Sequence, residues 1–235
     1  YERRGVVVSQ AWGMTETSPI GAYGVLSPAL QAAPLAERIT AKCCAGRRLF
    51  GVEYKIVDDA GQRLPHDGQA AGELFIRGNT VISGYFENPE ATRAAMDSEG
   101  WFGTGDVASV SPEGRLTIRD RSKDLVKSGG EWISSIDLEN AALSHPGIAA
   151  CAVIAVPHPK WDERPVLVAV AAGAERPTLA EVCTHMETHF AKWQLPDDLL
   201  WVEALPLTAT GKVSKLTLRD QFADYIHPDQ RGDGA

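Results

Sequence analysis

The hydrophobic pattern of this 235-residue chain changes near residue 120, which divides the sequence into two parts. Before that point, apolar and polar residues alternate in three short ranges, as they do in half-buried strands: 53–58, 73–77 and 115–120. Asn88 followed by Pro89 has the pattern of a capped helix start, so a short helix is expected to run to about residue 96. The first part, residues 1–120, is therefore predicted to be mostly β-strand, and we expect it to be barrel-like.

Helices and strands alternate after residue 120. Thr178 and Glu181 fit a capping box, which predicts a helix start, and Ser135 is a second candidate cap. The predicted helices cover 136–144, 178–193 and 215–225, and the predicted strands lie near 150–156, 166–172 and 199–203. The tail from His227 is polar and is expected to fray. The fold class is α+β, with a second, smaller domain over 121–235.

The first residues form a short β-branched run, Gly5 to Gln10, which predicts a buried strand. A strand buried on both faces needs neighbours on both sides, and no sequence precedes this one to supply them. We therefore expect the sequence to be the C-terminal part of a longer protein.

Composition excludes several classes of function. Lys and Arg number 23 against 31 Asp and Glu, and a net charge of −8 argues against a nucleic-acid-binding module, which normally has a basic face. No apolar run approaches the roughly 20 residues of a membrane-spanning helix. Four cysteines, at 43, 44, 151 and 183, fit neither a disulfide framework nor a C-x-x-C metal site, so we expect a reducing, cytoplasmic setting. A homodimer is one alternative for the oligomeric state.

Four Gly-containing segments carry the residues that could do chemistry: 10–18, 100–106, 120–134 and 205–215. Thr15 and Glu16 offer a hydroxyl and a carboxylate, which suit a phosphate and its magnesium ion. Asp106 follows two glycines and could bind a ribose diol. Taken singly, the first pair is more simply interpreted as a helix cap and Asp106 as a turn residue.

Basic residues lie in the last two of these segments. Arg121, Lys123 and Lys127 form one cluster, and Lys212 lies in a turn near the end. Lysines beside phosphates act as point charges, although a solvated surface lysine is the simpler interpretation of each one alone. Trp12 and Trp132 could be core aromatics or flat platforms for a purine. A zinc site is disfavoured, because His185 and His189 lack the Glu at 186 that the H-E-x-x-H motif requires.

Read in order, five segments resemble the motifs of the adenylate-forming (AMP-binding) superfamily. They are 10–19, similar to the Tyr-Gly-x-Thr-Glu motif; 72–92, with its Gly-Glu-Leu, Gly-Tyr and Pro-Glu-Ala-Thr groups; 100–106; 114–130, similar to the hinge region; and 206–212, similar to the C-terminal lysine motif. The ranges 128–140 and 158–165 are most similar to medium- and long-chain fatty-acyl-CoA synthetases, and ligases for methylthio-propionate look much the same there.

The resemblance implies a fatty-acid–CoA ligase, of medium-chain type, that uses ATP, a magnesium ion and CoA and forms an acyl-AMP intermediate. The fatty acid, ATP and CoA would be its small-molecule substrates. Two alternatives stay open: an adenylation enzyme that loads a carrier protein, and a non-catalytic binding module. The family's phosphate loop lies upstream of the first motif, so we expect this chain alone to be catalytically incomplete.

The resemblance also implies roles for single residues. Those lining the adenine and acyl side of the site would be Gln10, Ala11, Trp12 and Gly13. Thr15 would contact the α-phosphate, Glu16 would hold magnesium, and Asp106 would bind the ribose with help from Arg121.

For the second part, Lys123 stands at the hinge about which the small C-terminal domain of the family pivots. Lys212 would bridge the carboxylate and the α-phosphate during adenylation. Lys127 and the Gly129–Gly130 loop would enter for the CoA step, and Trp132 matches an aromatic residue that gates the adenine.

Overall fold

The computed structural model describes residues 1–209 and 211–230. The chain divides into two compact units, one covering Tyr1–Ser122 and the other starting at Lys123. None of the helices in the described ranges is long and apolar enough to cross a membrane.

An antiparallel sheet forms most of the first unit. Its strands are β1 (Ala11–Trp12), β2 (Ala22–Tyr23), β3 (Gly46–Arg48), β4 (Val52–Val57), β5 (Ala71–Gly78), β6 (Phe102–Val110) and β7 (Arg115–Arg121). The helices of this unit are α1 (Pro28–Gln31), α2 (Leu35–Lys42) and α3 (Pro89–Ala95). The strand order is β1-β2-β3-β7-β6-β5-β4, so β1 and β4 are edges and the sheet is open rather than a closed barrel.

The middle of this sheet is its core. Phe102, Leu74 and Leu116 come from three adjacent strands, and each is at most 2% exposed. β6 pairs with β5 on one side and with β7 on the other, so its backbone groups are used in both directions. The sequence did not predict this strand, because its glycines at 103 and 105 are typical of a loop. Pairing on both sides outweighs that local preference.

Two local predictions in the first unit had opposite outcomes. The helix α3 starts as predicted, with the Asn88 side chain accepting a hydrogen bond from the Ala91 N–H at 3.0 Å. The buried strand over Gly5 to Gln10 was wrong. These residues form no strand, and Val7 is 79% exposed, because no neighbouring strand pairs with them in the described residues.

The second unit has a five-stranded sheet flanked by helices. Its elements are β8 (Val126–Ser128), β9 (Glu131–Ile133), α4 (Ser135–Leu143), β10 (Ile148–His158), β11 (Asp162–Ala171), α5 (Leu179–Met186), β12 (Asp198–Trp201) and α6 (Lys215–Gln221). The order is β10-β11-β8-β9, and β12 pairs in parallel with β11. The mixed helix and strand content confirms the α+β class.

Both faces of the central hairpin β10–β11 are buried. Val153 and Leu167 pack with α4 and α5 residues on one face, whereas Ile154 and Val168 pack with Leu218 of α6 on the other. This explains why the two strands are continuous apolar runs rather than alternating ones.

Several boundaries in the second unit differ from the sequence predictions. Ser134, not Ser135, caps α4, since its Oγ accepts the Asp137 N–H at 3.1 Å. α5 ends at Met186 and α6 at Gln221, each earlier than predicted. The expectation that the tail from His227 frays was also wrong at its first residue, because His227 is only 2% exposed, and residues 231–235 of that tail lie outside the described residues.

Candidate functional site

The segment that carries the first motif folds back on the residues that follow it. Ala11 and Trp12 pair with β2, and the Gly21 N–H donates to the Trp12 carbonyl at 2.9 Å. At Gly13 a Cβ atom would lie 2.0 Å from the Pro19 carbonyl oxygen, so only glycine fits this close approach of two backbones.

Hydrogen bonds of Thr17 then fix the next turn. Its buried hydroxyl donates to the Met14 carbonyl at 2.8 Å and accepts the Met14 N–H at 2.9 Å. This closes a 3₁₀ turn over Thr15–Thr17. Within the turn Thr15 is exposed and Glu16 is half-buried. The preceding residues Gln10, Ala11 and Gly13 are also exposed.

Asp106 is held by two donors from different parts of the first unit. The Trp12 indole N–H donates to Oδ2 at 2.8 Å, and Arg121 Nε lies 2.8 Å from Oδ1. Asp106 and Arg121 are directly opposite each other in the β6–β7 pairing. The residue is only 3% exposed, so two fixed donors and the surrounding sheet orient its carboxylate.

A tyrosine that the sequence analysis did not include among the site residues contacts Glu16. The Tyr85 hydroxyl donates to Glu16 Oε1 at 2.9 Å, and the Ile82 N–H donates to the Glu16 carbonyl at 3.0 Å. Partial burial, and then the hydrogen bond to Glu16, raise the pKa of Tyr85. The sequence could have identified Tyr85 as a site residue, because it lies in the 72–92 motif segment.

The first unit therefore joins Trp12, Asp106 and Arg121 through direct side-chain contacts. Trp12 also packs edge-on against Tyr54, with ring centroids 6.4 Å apart, so it contributes to the core and to the candidate site at once. The sequence left two interpretations of Trp12 open, a core aromatic or a residue of the candidate site, and the contacts of Trp12 fit both.

In the second unit, strands β8 and β9 form a hairpin whose turn is Gly129–Gly130. Both glycines have positive φ values, 61° and 87°, where other residues are strained. A Cβ at Gly129 would also lie 3.1 Å from the Trp161 ring. The sequence places glycine here because of both the turn and the stacked tryptophan.

Lys127 and Trp132 face each other across this hairpin. They are paired in the β8–β9 register, and Lys127 Nζ lies 6.0 Å from the Trp132 ring centroid, at the limit of a cation–π contact. The Lys127 side chain is exposed, whereas its backbone N–H donates to Glu163 Oε2 at 2.8 Å. Trp132 is half-buried.

Lys212 lies in a tight turn between the paired residues Leu207 and Val213. The Lys212 N–H donates to Thr208 Oγ1 at 3.2 Å, and its carbonyl accepts the Thr208 N–H at 2.7 Å. Gly211 has a φ of 79° within the same turn. The Lys212 side chain is exposed, so the turn fixes its backbone and leaves the ammonium group in solvent.

Lys123 is the first residue of the second unit and is exposed. The boundary between the two units thus falls directly before the residue that the resemblance assigns to the hinge.

A cavity of about 610 Å³ lies beside the Gly129 turn. Trp161 and Trp193 line it together with the buried side chains of Arg164 and His227. Both tryptophans are partly exposed, at 41% and 47%.

Among the described residues there is one group of potential metal ligands, His158, His227 and Asp229, and the last two of these line the cavity. The backbone N–H groups of Lys160 and Trp161 donate to His158 Nδ1, and that of Asp229 donates to His227 Nδ1. A neutral imidazole that accepts at Nδ1 carries its proton on Nε2, which then has no lone pair for a metal. The group does not fit a metal site.

Two family models match the chain. One, described as AMP-binding enzyme, matches residues 1–86, and the other, described as AMP-binding enzyme C-terminal domain, matches residues 137–212.

Curated relatives match nearly the whole chain. The chain is 52% identical to the 3-methylmercaptopropionyl-CoA ligase of Ruegeria lacuscaerulensis, over 96% of this chain and 41% of that protein. It is 46% identical to the medium-chain-fatty-acid–CoA ligase of Ectopseudomonas oleovorans, over 94% of this chain and 40% of that protein. It is 45% identical to the long-chain-fatty-acid–CoA ligase of Thermus thermophilus, over 96% and 42%. The chain thus spans about two fifths of the length of these relatives.

Solved structures of similar fold also match nearly the whole chain. The ATP-bound MatB of Rhodopseudomonas palustris superposes with a TM-score of 0.80 at 29% identity, over 94% of this chain and 41% of that one. The o-succinylbenzoate CoA synthetase of Bacillus subtilis, in complex with its acyl-adenylate, gives 0.78 at 31% identity, over 93% and 42%. The sequence motifs, both family models and these structures lead to one conclusion: the chain belongs to the AMP-binding enzyme family.

Proposed function

We propose that the whole protein is an ATP-dependent acid–CoA ligase that forms an acyl-adenylate and then transfers the acyl group to the thiol of CoA, with release of AMP. The observation that carries this proposal is the set of contacts around Asp106, which is held by Arg121 and by Trp12, and the Thr15–Glu16 turn follows Trp12 closely in the chain. The CoA-ligase names of the relatives at 45–52% identity support it.

In the first step, the substrate carboxylate attacks the α-phosphate of ATP and pyrophosphate leaves. Asp106 binds the ribose hydroxyls, with Arg121 holding the carboxylate in place, and Trp12 with Gln10, Ala11 and Gly13 lines the adenine and acyl side. Thr15 donates its hydroxyl to the α-phosphate. Fixed donors of this kind stabilise charge that develops in the transition state.

Glu16 is the residue that would hold a magnesium ion. Its carboxylate is half-buried and accepts one hydrogen bond, from Tyr85, so an oriented oxygen ligand is present. One or two carboxylates with several waters are the usual protein contribution to Mg²⁺ bound to nucleotide phosphates. The ion would neutralise phosphate charge, and Tyr85 would orient Glu16 toward it.

The lysines divide between the two steps. Lys212 supplies its ammonium to the carboxylate and the α-phosphate during adenylation. Lys127 and the Gly129–Gly130 turn act in the CoA step, with Trp132 beside the adenine, and Lys123 is the hinge between the two arrangements. The exposed side chains of Lys212 and Lys127 support this division, because neither is committed to a buried ion pair.

For the acid, we propose a medium-chain fatty acid. A short thioether acid, 3-methylmercaptopropionate, is the second candidate, because a relative with 52% identity is named for it. We also propose a reducing, cytoplasmic setting, which the four free cysteines support.

The test is ATP-dependent acyl-CoA formation by the 235-residue chain and by the full-length protein, with acids from three to sixteen carbons. We expect product from the full-length protein only, with a maximum that identifies the acid. Acyl-AMP without a CoA thioester would instead indicate a carrier-loading adenylation enzyme. No turnover with any acid would favour a binding module.

A further inference from the structure

Arg164 is a buried charge that the sequence analysis did not single out. It lies on β11 and is 7% exposed. A buried guanidinium is costly unless its charge is paired and its donors are bonded. Its surroundings should therefore explain why arginine stands there.

All five N–H donors of this side chain have an acceptor. Nε and one Nη bond both oxygens of Asp197, at 2.6 and 2.5 Å. The remaining donors go to Ser128 Oγ at 3.0 Å and to the carbonyls of Trp193 and Leu195, at 2.6 and 3.2 Å. Arginine offers five donors in one rigid plane, whereas lysine offers three from a single nitrogen. Lysine therefore cannot reproduce this set.

The Arg164 contacts join two separate segments. One is the β8–β9 hairpin, through Ser128, and the other is the 193–197 loop, through two carbonyls and Asp197. Burial would raise the pKa of Asp197, but the hydrogen bonds and charge of Arg164, together with His227, outweigh burial and lower it. The negative charge that pairs with Arg164 is thus favoured.

Residues next to Arg164 hold the same hairpin. The Gly129 N–H donates to the Trp161 carbonyl at 2.8 Å, and the Lys127 N–H donates to Glu163 Oε2 at 2.8 Å. Ser128 pairs with Asp162. Residues 161–164 therefore support every residue from 127 to 129, and Arg164 ties that support to the 193–197 loop.

We propose that Arg164 is a positioning residue for the CoA step, fixing the hairpin that carries Lys127 and Gly129 against the 193–197 loop. This inference rests on the proposed function. Arg164 itself touches no substrate, because its five donors are all used within the protein. A displacement of about 1 Å in a positioned group can lower a rate about 100-fold, so loss of this support should be measurable.

The first variants are Arg164→Lys and Ser128→Ala in the full-length protein. Each half-reaction is measured separately: ATP–pyrophosphate exchange for adenylation, and thioester formation from preformed acyl-AMP. We expect Arg164→Lys to lower kcat for thioester formation about 10- to 100-fold and Ser128→Ala about 3- to 10-fold, with adenylation within about twofold of wild type. Ser109→Ala is the matched control, since Ser109 is buried and accepts from Arg119 Nε at 3.2 Å in the first unit.

A second measurement does not depend on activity. Hydrogen exchange of the full-length protein should show faster exchange at the Lys127 and Gly129 amides in both variants and unchanged exchange in Ser109→Ala. Equal losses in both half-reactions, or unchanged exchange at these amides, would overturn the positioning role. If the wild-type protein forms no acyl-CoA, the proposed function fails, whereas the exchange result still shows whether Arg164 holds the hairpin.

Discussion

The candidate residues of the two units are built in opposite ways. In the first unit, Asp106 is almost fully buried and both its oxygens are bonded by residues of the sheet. In the second, Lys127 and Lys212 are exposed, and the structure fixes their backbones rather than their ammonium groups. In the second unit the buried side chain is Arg164, which bonds the hairpin that carries Lys127.

The roles proposed for these groups account for the difference. A carboxylate that recognises a pair of hydroxyls needs a fixed direction, which a sheet and two rigid donors provide. A lysine that acts as a point charge needs reach, which a four-carbon side chain on a tight turn provides. Substitutions in the first unit should therefore weaken nucleotide binding, and those in the second should slow single steps.

The largest effect is expected for Lys212→Ala. Loss of one charge that stabilises the transition state costs about 3–4 kcal/mol, so the rate of adenylation should fall about 10²- to 10³-fold. ATP–pyrophosphate exchange with the full-length protein measures this. The surface variant Lys192→Ala is the control, since Lys192 is 87% exposed on a turn outside all the motifs. A loss below about tenfold would show that Lys212 is not used in this step.

A smaller effect is expected for Asp106→Asn. The substitution removes the charge that would accept hydrogen bonds from the two ribose hydroxyls, each worth about 1.5–3 kcal/mol when charged, so the affinity for ATP should fall about 10- to 100-fold. Isothermal titration with ATP measures it. Asp220→Asn serves as the matched control, because Asp220 lies on α6 in the other unit. Unchanged ATP affinity would mean that Asp106 only holds the sheet together.

Gly129→Ala and Gly130→Ala test the hairpin turn. Both positions have positive φ, so each variant carries backbone strain of about 1–2 kcal/mol. Only Gly129 faces the Trp161 ring, whereas a Cβ at Gly130 meets nothing within 4 Å. We expect the KM for CoA to rise more in Gly129→Ala, by about threefold to tenfold. Equal KM values would show that the Trp161 contact has no role in the CoA step.

A modest effect is expected for Tyr85→Phe. The lost hydrogen bond to Glu16 is worth about 0.5–1.5 kcal/mol, so adenylation should need about two to ten times more magnesium for half-maximal rate. Tyr23→Phe, at an exposed position in the same unit, is the control. A magnesium dependence identical to that of wild type would separate Tyr85 from the metal site.

The smallest effect concerns pH and the stability of the second unit. Because the pKa of Asp197 is lowered in the folded chain, its contribution to stability is complete above the ordinary carboxyl pKa of about 4. It is lost as the pH falls through the lower folded value. Thermal melts between pH 6 and 2 should therefore show a decline in Tm below about pH 4 that is weaker in Asp197→Asn. A decline of the same size in both would exclude Asp197 as a source.

The sequence predicted those elements whose signals are local. Asn88 and Pro89 define the start of α3 by themselves, and Thr178 with Glu181 defines that of α5. β6 was missed because its two flanking strands, not its own glycines, decide its conformation. The opposite error occurred at Val6 to Val8, where a strand-like run is exposed because no strand of the described residues pairs with it.

Local sequence signals were limited in the same way at the candidate site. Residues within the motifs were found by their order, but the bond from Trp12 to Asp106 joins positions 94 residues apart. The partners of Arg164 lie 29 to 36 residues away, and His227 reaches Asp197 across 30. No local pattern encodes such contacts, so a buried arginine on an apolar strand gave no signal of its role.

The most direct test of the account compares Lys212→Ala and Lys127→Ala in the full-length protein, with adenylation and thioester formation measured separately. Lys212→Ala should lose adenylation and retain thioester formation from preformed acyl-AMP, and Lys127→Ala should show the reverse. Equal loss of both half-reactions in both variants would contradict the division of the two lysines between the two steps.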